Sequence, residues 1–408
     1  MKEMNRSREA VARFRLIRNC MFLSGLSVFA QLYLFQPMLS EMCRNFGVSP
    51  AESSLSVSAS TAGMALGLIV MAFKADSVSR ERLMGASLLL SSLLTIVSAF
   101  TDSYSLLLAL NLLKGMVLAG VSSVALAYLS EEVDKAMIGL AISLYLSGNT
   151  LGGMSGRVAA TLVSGWGGWQ SAVWLIGIVS LLLGGLFCWK IPAGKNFSAV
   201  SVSFREKLRQ MRFLLTRSTF LSMYLIAALS MGIFVSIYNY LSFLLEAPPF
   251  SLPHHWVALI FTMYVAGIIG SVVAGGLSDK YSPEMLLQGT LGLMGVGMAL
   301  LLWMQLWAIV LGLGLMTFAF FGIHTLASRI VSVHAGQMKS SATSIYWLFY
   351  YAGSSLVGSL SGIVLSNYGW SSFMEFLFVL LAVAWIISLS VLWLFKGKKN
   401  VYVWIARK

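Results

Sequence analysis

The sequence predicts an all-α integral membrane protein with twelve transmembrane helices in two pseudo-symmetric six-helix bundles. Hydrophobic residues make up 58% of the 408-residue chain, and charged residues only 11%. A soluble protein cannot bury so much apolar surface, so lipid must be its solvent. The chain also repeats itself at half its length. Asp76 and Asp279 lie 203 positions apart, and the pairs Gly168-Trp169 and Gly369-Trp370 lie 201 apart. Duplicated halves in so apolar a chain are typical of transporters.

Twelve apolar stretches are long enough to cross a bilayer, which takes ~20 residues per helix. The first follows a basic segment but has no small-residue cleavage site, so we predict a membrane helix and not a cleaved signal peptide. The last stretch ends near Phe395. The predicted starts lie near Asn19, Ser53, Leu83, Tyr104, Met137, Gln170, Ser218, His255, Pro283, Leu306, Ser340 and Ser371.

Basic residues indicate the orientation of these helices. They concentrate before helix 1, between helices 2 and 3, in the central loop and in the C-terminal tail, whereas the opposite loops hold only Arg44. By the positive-inside rule the basic side is the cytoplasm, so both termini are predicted to be cytoplasmic. The net charge of +13 is then a topology signal at the membrane rim, and no nucleic-acid partner is expected.

One long connection divides the chain. We predict an N-terminal six-helix bundle over residues 1–189, a cytoplasmic linker over 190–217 and a C-terminal bundle over 218–408. Within the linker, residues 204–213 alternate basic and apolar side chains at helical spacing, which predicts an amphipathic helix at the membrane interface. This helix either straps the two halves together or serves only as a solubilising linker.

Metal, disulfide and nucleotide sites are not predicted. Cys20, Cys43 and Cys188 are scattered and form no CxxC pair. The adjacent His254 and His255 point to different faces of a helix, so they are expected to be membrane-interface residues and not metal ligands. The sequence contains no GxxxxGK[ST] phosphate-binding motif, so we expect a gradient, and no cofactor, to supply the energy.

Two loops resemble the signature loop of the major facilitator superfamily, which reads Gly-x-Leu-x-Asp-x-x-Gly-Arg-Lys. The loop over residues 72–82 keeps Asp76 and Arg80, and the loop over 275–282 keeps the glycine and Asp279 but loses the arginine. A carboxylate there can accept hydrogen bonds from a helix N-terminus of the opposite half and so act as a latch. The alternative is an ordinary charged turn.

Predicted helix 5 carries a stripe of glycines. Gly148, Gly152 and Gly156 recur at every fourth position and so form one smooth face, which lets helices pack closely in lipid. The stripe resembles the helix-5 motif of antiporters in the superfamily, although the proline of that motif is missing. Generic close packing is the alternative. Residues 353–358 of helix 11 form the corresponding stretch in the second half.

Further stretches narrow the resemblance to bacterial arabinose-efflux-type inner-membrane permeases of the drug:proton antiporter group. The resemblance implies a location in the bacterial inner membrane, a monomer, and a small-molecule substrate, protons and the lipid bilayer as partners. The stretches are Gln36-Pro37, residues 128–132, the run Gly152–Arg157, His324 and residues 350–355.

Charged and titratable residues inside the membrane are the first candidates for the site, because burying them in lipid is expensive. Lys114 lies near the middle of helix 4, three residues after Asn111, which occupies the slot where the superfamily pattern places an arginine. Lys114 takes over the coupling role, binds an anionic group, stays neutral, or is a structural lysine. Arg157 contacts substrate, gates the outer mouth or forms a structural ion pair. His324 exchanges protons or is simply packed.

Other polar and aromatic residues lie on the helices that line the central cavity in this superfamily. Aromatic rings with a few hydroxyls and amides suit amphipathic or sugar-like ligands, and ordinary helix packing is the alternative for each of them. These candidates are Gln31 on helix 1, Asn111 and Lys114 on helix 4, Tyr238 and Asn239 on helix 7, His324 on helix 10, and Tyr346 and Tyr350 on helix 11.

The sequence therefore predicts a secondary transporter, and not an enzyme, that exports a small drug-like or sugar-like solute in exchange for protons by alternating access. Nearly all fifteen acidic residues lie in loops or at helix ends, with Glu375 as the nearest exception. Proton coupling therefore rests on the resemblance alone. A uniporter or proton-coupled importer of a sugar or organic anion remains the main alternative. A membrane-embedded enzyme and a receptor on a transporter scaffold remain as lesser ones.

Overall fold

The computed structural model describes residues 2–74, 78–134, 137–195 and 204–396, and every regular element within these ranges is helical. Short 3-10 turns at Gln36–Met38, Ala258–Met263 and Gly336–Met338 connect some of the α-helices. The α-helices are α1 (Lys2–Leu32), α2 (Leu39–Phe46), α3 (Pro50–Ser53), α4 (Leu55–Lys74), α5 (Arg80–Ser98), α6 (Tyr104–Glu132), α7 (Ile138–Lys190), α8 (Phe204–Thr216), α9 (Ser218–Glu246), α10 (His254–Val257), α11 (Tyr264–Leu277), α12 (Pro283–Leu300), α13 (Leu306–His334) and α14 (Lys339–Lys396).

Within these described ranges, nine helical segments are long and apolar enough to cross a membrane. Two of them, inside α7 and α14, are more than twice the length of a bilayer-spanning helix. Each is interrupted once, at Gly168 with φ 75° and at Gly369 with φ 80°. Glycine adopts this left-handed conformation without steric penalty. The two breaks lie close to the predicted starts of helices 6 and 12, at Gln170 and Ser371. The total of twelve helices stays a prediction.

The first helix is longer than the sequence predicted. We expected it to begin near Asn19, whereas α1 is helical from Lys2. The basic segment before Asn19 contains no proline or glycine and is rich in strong helix formers such as Arg, Glu, Ala and Met, so nothing stops the helix there. The candidate membrane span itself begins at Val11.

Contacts between Cα atoms divide the chain into two compact units. Unit 1 contains Met1–Phe204 and Tyr238–Thr262, and unit 2 contains Arg205–Ile237 and Met263–Lys408. The predicted domain boundaries at residues 189/190 and 217/218 stay predictions.

In unit 1, α1 packs against α7 along the predicted glycine stripe. A Cβ atom on Gly152 would lie 2.5 Å from the Cα of Leu26, and one on Gly156 would lie 2.7 Å from the Cα of Ala30. Gly148 likewise faces the backbone of Phe22. Only glycine permits so close an approach of the two backbones. In unit 2, Gly353 of α14 lies against the backbone of Ala228 in α9 in the same way.

A second close contact in unit 1 fixes the orientation of α6. A Cβ atom on Gly115 would lie 2.8 Å from the backbone nitrogen of Met64 and would also meet the carbonyl of Ser60, both on α4. Because Gly115 must face α4, the rotation of α6 about its own axis is set. This contact determines where the neighbouring Lys114 and Asn111 point.

Candidate functional site

Lys114 and Asn111 form a buried polar pair on α6. Both side chains are almost completely shielded, with exposed fractions of 1% and 0%. Because they are three residues apart on a helix, they share a face, and Lys114 Nζ donates a hydrogen bond of 2.7 Å to Asn111 Oδ1. The ammonium nitrogen also lies 5.2 Å from the centre of the Phe35 ring. No carboxylate of a described residue lies within ion-pair distance of Lys114.

The amide of Asn111 is only half used. Its oxygen accepts the hydrogen bond from Lys114, but its Nδ2 is buried and has no partner among the described residues. Buried polar atoms are nearly always hydrogen-bonded, so such an orphan calls for an explanation. Apart from the bond between them, the pair thus has N–H donors without a hydrogen-bond acceptor among the described residues.

Gln31, another predicted site residue, makes hydrogen bonds both within α1 and to α5. Its Nε2 donates to the carbonyl and to the hydroxyl of Ser27, each at 3.2 Å, and its Oε1 accepts from Thr95 Oγ1 at 2.9 Å. The residue is completely buried. Its contacts join α1 to α5, so the structure places Gln31 in a saturated hydrogen-bond group of unit 1.

Arg157 anchors a hydrogen-bonded chain through unit 1. Its Nε donates to Gln36 Oε1 at 2.6 Å, and Gln36 Nε2 donates to Asn239 Oδ1 at 2.7 Å. The guanidinium also donates to the carbonyl of Gly153 and lies 4.5 Å from the centre of the Tyr33 ring. All three residues of the chain are buried. The predicted candidates Arg157 and Asn239 are therefore brought together, through a glutamine that joins α7 to α9.

Beside this chain, at the end of α9 that is predicted to face outside, His254 joins two helices. Its Nδ1 lies 2.6 Å from Glu246 Oε1, and its Nε2 lies 3.3 Å from Ser164 Oγ. Glu41 accepts a 2.7 Å hydrogen bond from the backbone N–H of Trp169, next to the break at Gly168. His254, expected to lie at the membrane interface, is partly buried in these contacts.

In unit 2, His324 lies within an aromatic cluster on α13 and α14. Its Nδ1 lies 2.8 Å from the hydroxyl of Tyr346. The rings of Tyr350 and Trp347 are 5.0 and 5.2 Å from its own, centre to centre. Phe320 stacks on the imidazole from the same helix. The structure thus brings the predicted residues His324, Tyr346 and Tyr350 together. The remaining predicted aromatic residue, Tyr238, is fully buried in unit 1 and packs on Phe261.

The two signature loops are both tied to arginine–carboxylate pairs. Asp76 lies outside the described residues, but Arg80 is buried and donates to Glu131 at the end of α6. Asp279 accepts a 2.7 Å hydrogen bond from Arg329 on α13. The second loop, unlike the first, contains no arginine of its own. The structure supplies that charge from a different helix.

Sequence reasoning missed four residues at these places. Gln36 was noted only as part of a motif, although it is the centre of the Arg157 chain. Nothing in the local spacing points to Arg329 or Thr95, since their partners are far away in sequence. Trp347 had a usable signal, because it stands between Tyr346 and Tyr350 on the same helix.

Comparison with known proteins places the chain in a family. The model of the Major Facilitator Superfamily matches residues 21–358. The chain is 34% identical to an uncharacterised transporter of Buchnera aphidicola subsp. Schizaphis graminum, over 93% of this chain and 92% of the relative. It is 32% identical to the inner membrane transport protein YnfM of Escherichia coli strain K12, over 92% and 90%.

The fold is similar to that of solved transporters. A crystal structure of a bacterial homologue of the human lysosomal transporter Spinster matches with a TM-score of 0.79 at 15% sequence identity, covering 92% of this chain and 96% of that one. At so low an identity the likeness concerns the fold only. The family match and the full-length relatives together settle the class: the chain is a multi-pass membrane transporter, not an enzyme, and it belongs to the Major Facilitator Superfamily.

Proposed function

We propose that this transporter exports a small organic solute from the cytoplasm of a bacterium in exchange for protons, by alternating access across the inner membrane. The observation that carries the proposal is Lys114, an ionisable side chain that is 1% exposed within a membrane-crossing helix. Buried charges in membrane helices are costly and are usually retained for function. A lysine can gain and lose a proton, which an arginine at the same place cannot do.

The glycine stripe of α7 supports proton antiport, and a relative supports a location in the inner membrane. The stripe resembles the helix-5 motif of antiporters, and it allows α7 to lie directly on the backbone of α1. The name of the Escherichia coli relative gives the inner membrane as that protein's location. We propose the same membrane for this chain, and a latch role for Asp76 and Arg80 at its cytoplasmic face.

Counterflow in proteoliposomes tests the proposal. Vesicles that contain the purified protein and a pH-sensitive dye are loaded with one unlabelled solute of a panel of sugars, nucleosides, lipophilic amines and organic acids. They are then diluted into a trace of the same labelled solute. We expect transient accumulation of the label for one class. For that solute, a downhill gradient imposed without label should move protons in the opposite direction. Protein-free vesicles are the control.

A second function is favoured by one observation, the cationic Lys114 without a described carboxylate partner. This arrangement suits a uniporter or a proton-coupled importer of an organic anion. The same vesicles separate the cases. An importer moves protons in the direction of the solute, and a uniporter moves none. Either result would replace proton-coupled export.

A further inference from the structure

We propose that Lys114 and Asn111 form the binding site for an oxyanion, a carboxylate or phosphate group carried by the transported solute. This inference rests on the proposed function only in assuming that the chain carries an organic solute. It deepens that function by assigning the solute's chemical class.

The first argument is the imbalance between donors and acceptors. An ammonium group has three N–H donors and no acceptor, and a primary amide has two N–H donors. Within the described chain, the pair makes a single side-chain hydrogen bond, from Lys114 Nζ to Asn111 Oδ1. The amide nitrogen of Asn111 is buried without a partner. The remaining N–H groups need acceptors, and a carboxylate or phosphate offers several oxygen lone pairs on one group.

The second argument is charge. An ammonium group in a low-dielectric environment is strongly destabilised unless an opposite charge lies beside it. Three arginines of the described chain have such a partner: Arg13 contacts Glu132, Arg80 contacts Glu131, and Arg329 contacts Asp279. No described carboxylate lies beside Lys114. A neutral sugar hydroxyl would accept a hydrogen bond but would leave the charge uncompensated, so an anion fits better.

The third argument concerns the rest of the solute. The Phe35 ring, whose centre lies 5.2 Å from Lys114 Nζ, places an apolar surface beside the polar pair. An anion with a flat or apolar body can place its oxygens on the donors and its body against such a wall. Benzoate and phenyl phosphate combine these features and are suitable probes, and benzyl alcohol is the matched neutral molecule.

Binding to the purified full-length protein, measured by thermal unfolding over a range of probe concentrations, tests the proposal without any flux. We expect benzoate or phenyl phosphate to raise the unfolding temperature of the wild type, and benzyl alcohol not to do so. Comparison of the two anions identifies the group. Lys114→Met should weaken the apparent affinity for the anion roughly 10- to 100-fold, as the loss of a charge-assisted hydrogen bond implies. The proposal is wrong if neither anion stabilises the wild type, or if the anions stabilise Lys114→Met equally well.

Asn111→Asp provides a second test, whose first readout needs no probe. The new carboxylate would lie beside Lys114 and take the place of the absent anion, so the unfolding temperature should rise and the anion effect should disappear. In the Lys114→Met, Asn111→Asp double variant the same carboxylate should lower the unfolding temperature, because its partner is gone. If Asn111→Asp lowers the unfolding temperature in the wild-type background as well, Lys114 does not await an anion and the proposal fails.

The outcomes also separate this inference from the proposed function. Anion binding at Lys114 without proton exchange would retain the site and reject proton-coupled export. Transport of a neutral solute that survives Lys114→Met would reject the site and retain transport.

Discussion

Lys114 and Arg157 are two buried cations of the same unit that differ in the number of their own hydrogen bonds, although the amide nitrogen of Asn239 in the Arg157 network is also buried without a partner among the described residues. Arg157 donates to Gln36 and to a backbone carbonyl and stacks on Tyr33. Lys114 has a single hydrogen-bond partner, and that partner has an orphaned N–H group of its own. The comparison teaches that burial alone does not mark a transport site. The useful signal is a buried charge whose hydrogen bonds are incomplete, since an incomplete site can accept a ligand.

The largest expected effect is the loss of transport in Lys114→Ala. The variant should show only background counterflow of the solute found in the panel, because it lacks both the charge and the proton carrier. The change in its stability should be small, since removing a buried charge that has no ion-pair partner relieves a desolvation penalty and so offsets the hydrogen bond that Asn111 Oδ1 loses. Counterflow and thermal unfolding, measured on the same preparation, check both parts.

Lys114→Arg is the matched control for that experiment. It keeps the positive charge and the donors but cannot release a proton at physiological pH. We expect it to retain anion binding and to lose proton movement. Counterflow in Lys114→Ala equal to that of the wild type would remove Lys114 from the site.

The next largest effect should be a loss of stability in Arg157→Ala. Arg157→Ala removes the donors to Gln36 Oε1 and to the Gly153 carbonyl and leaves both buried acceptors without them. Each such loss costs about 1–3 kcal/mol. We therefore expect a clear fall in the free energy of unfolding, measured by denaturant titration in detergent. If Arg157→Ala unfolds like the wild type while Lys114→Ala is destabilised, the contrast between the two cations is wrong.

The distance in sequence between two residues decides which parts of this contrast could be predicted from the sequence. Asn111 and Lys114 are three residues apart on one helix, so their pairing follows from helical geometry. The breaks at Gly168 and Gly369 lie close to the starts of helices 6 and 12 that the apolar stretches predict, and both fall in the repeated Gly-Trp pair. By contrast, Gln36 meets Arg157 only because a glycine face lets α1 lie on α7. A single sequence shows that the stripe exists but not which residues it brings within hydrogen-bond distance.

A smaller effect is expected at the far end of the Arg157 chain. Asn239→Leu removes the acceptor for Gln36 Nε2 but leaves the bond between Gln36 and Arg157 intact. The free energy of unfolding should fall by about 1 kcal/mol, the usual net value of one hydrogen bond. Anion binding at Lys114 should not change, because Asn239 belongs to the other cation's network. A loss of anion binding would show that the two networks are coupled.

The smallest effect should come from an arginine pair outside both networks. Asp279→Asn removes the negative charge from the 2.7 Å contact with Arg329, but the carboxylate is 68% exposed, so solvent screens the pair. Exposed ion pairs contribute below about 1 kcal/mol, and the loss of stability should stay under that value.

Asp76→Asn is the informative partner experiment, since the predicted latch would act through Asp76 on the exchange between conformations. We expect it to slow turnover more than it weakens solute binding. If both aspartate variants change turnover equally, the signature loops work as a symmetric pair. If Asp76→Asn changes only affinity, it is not a latch.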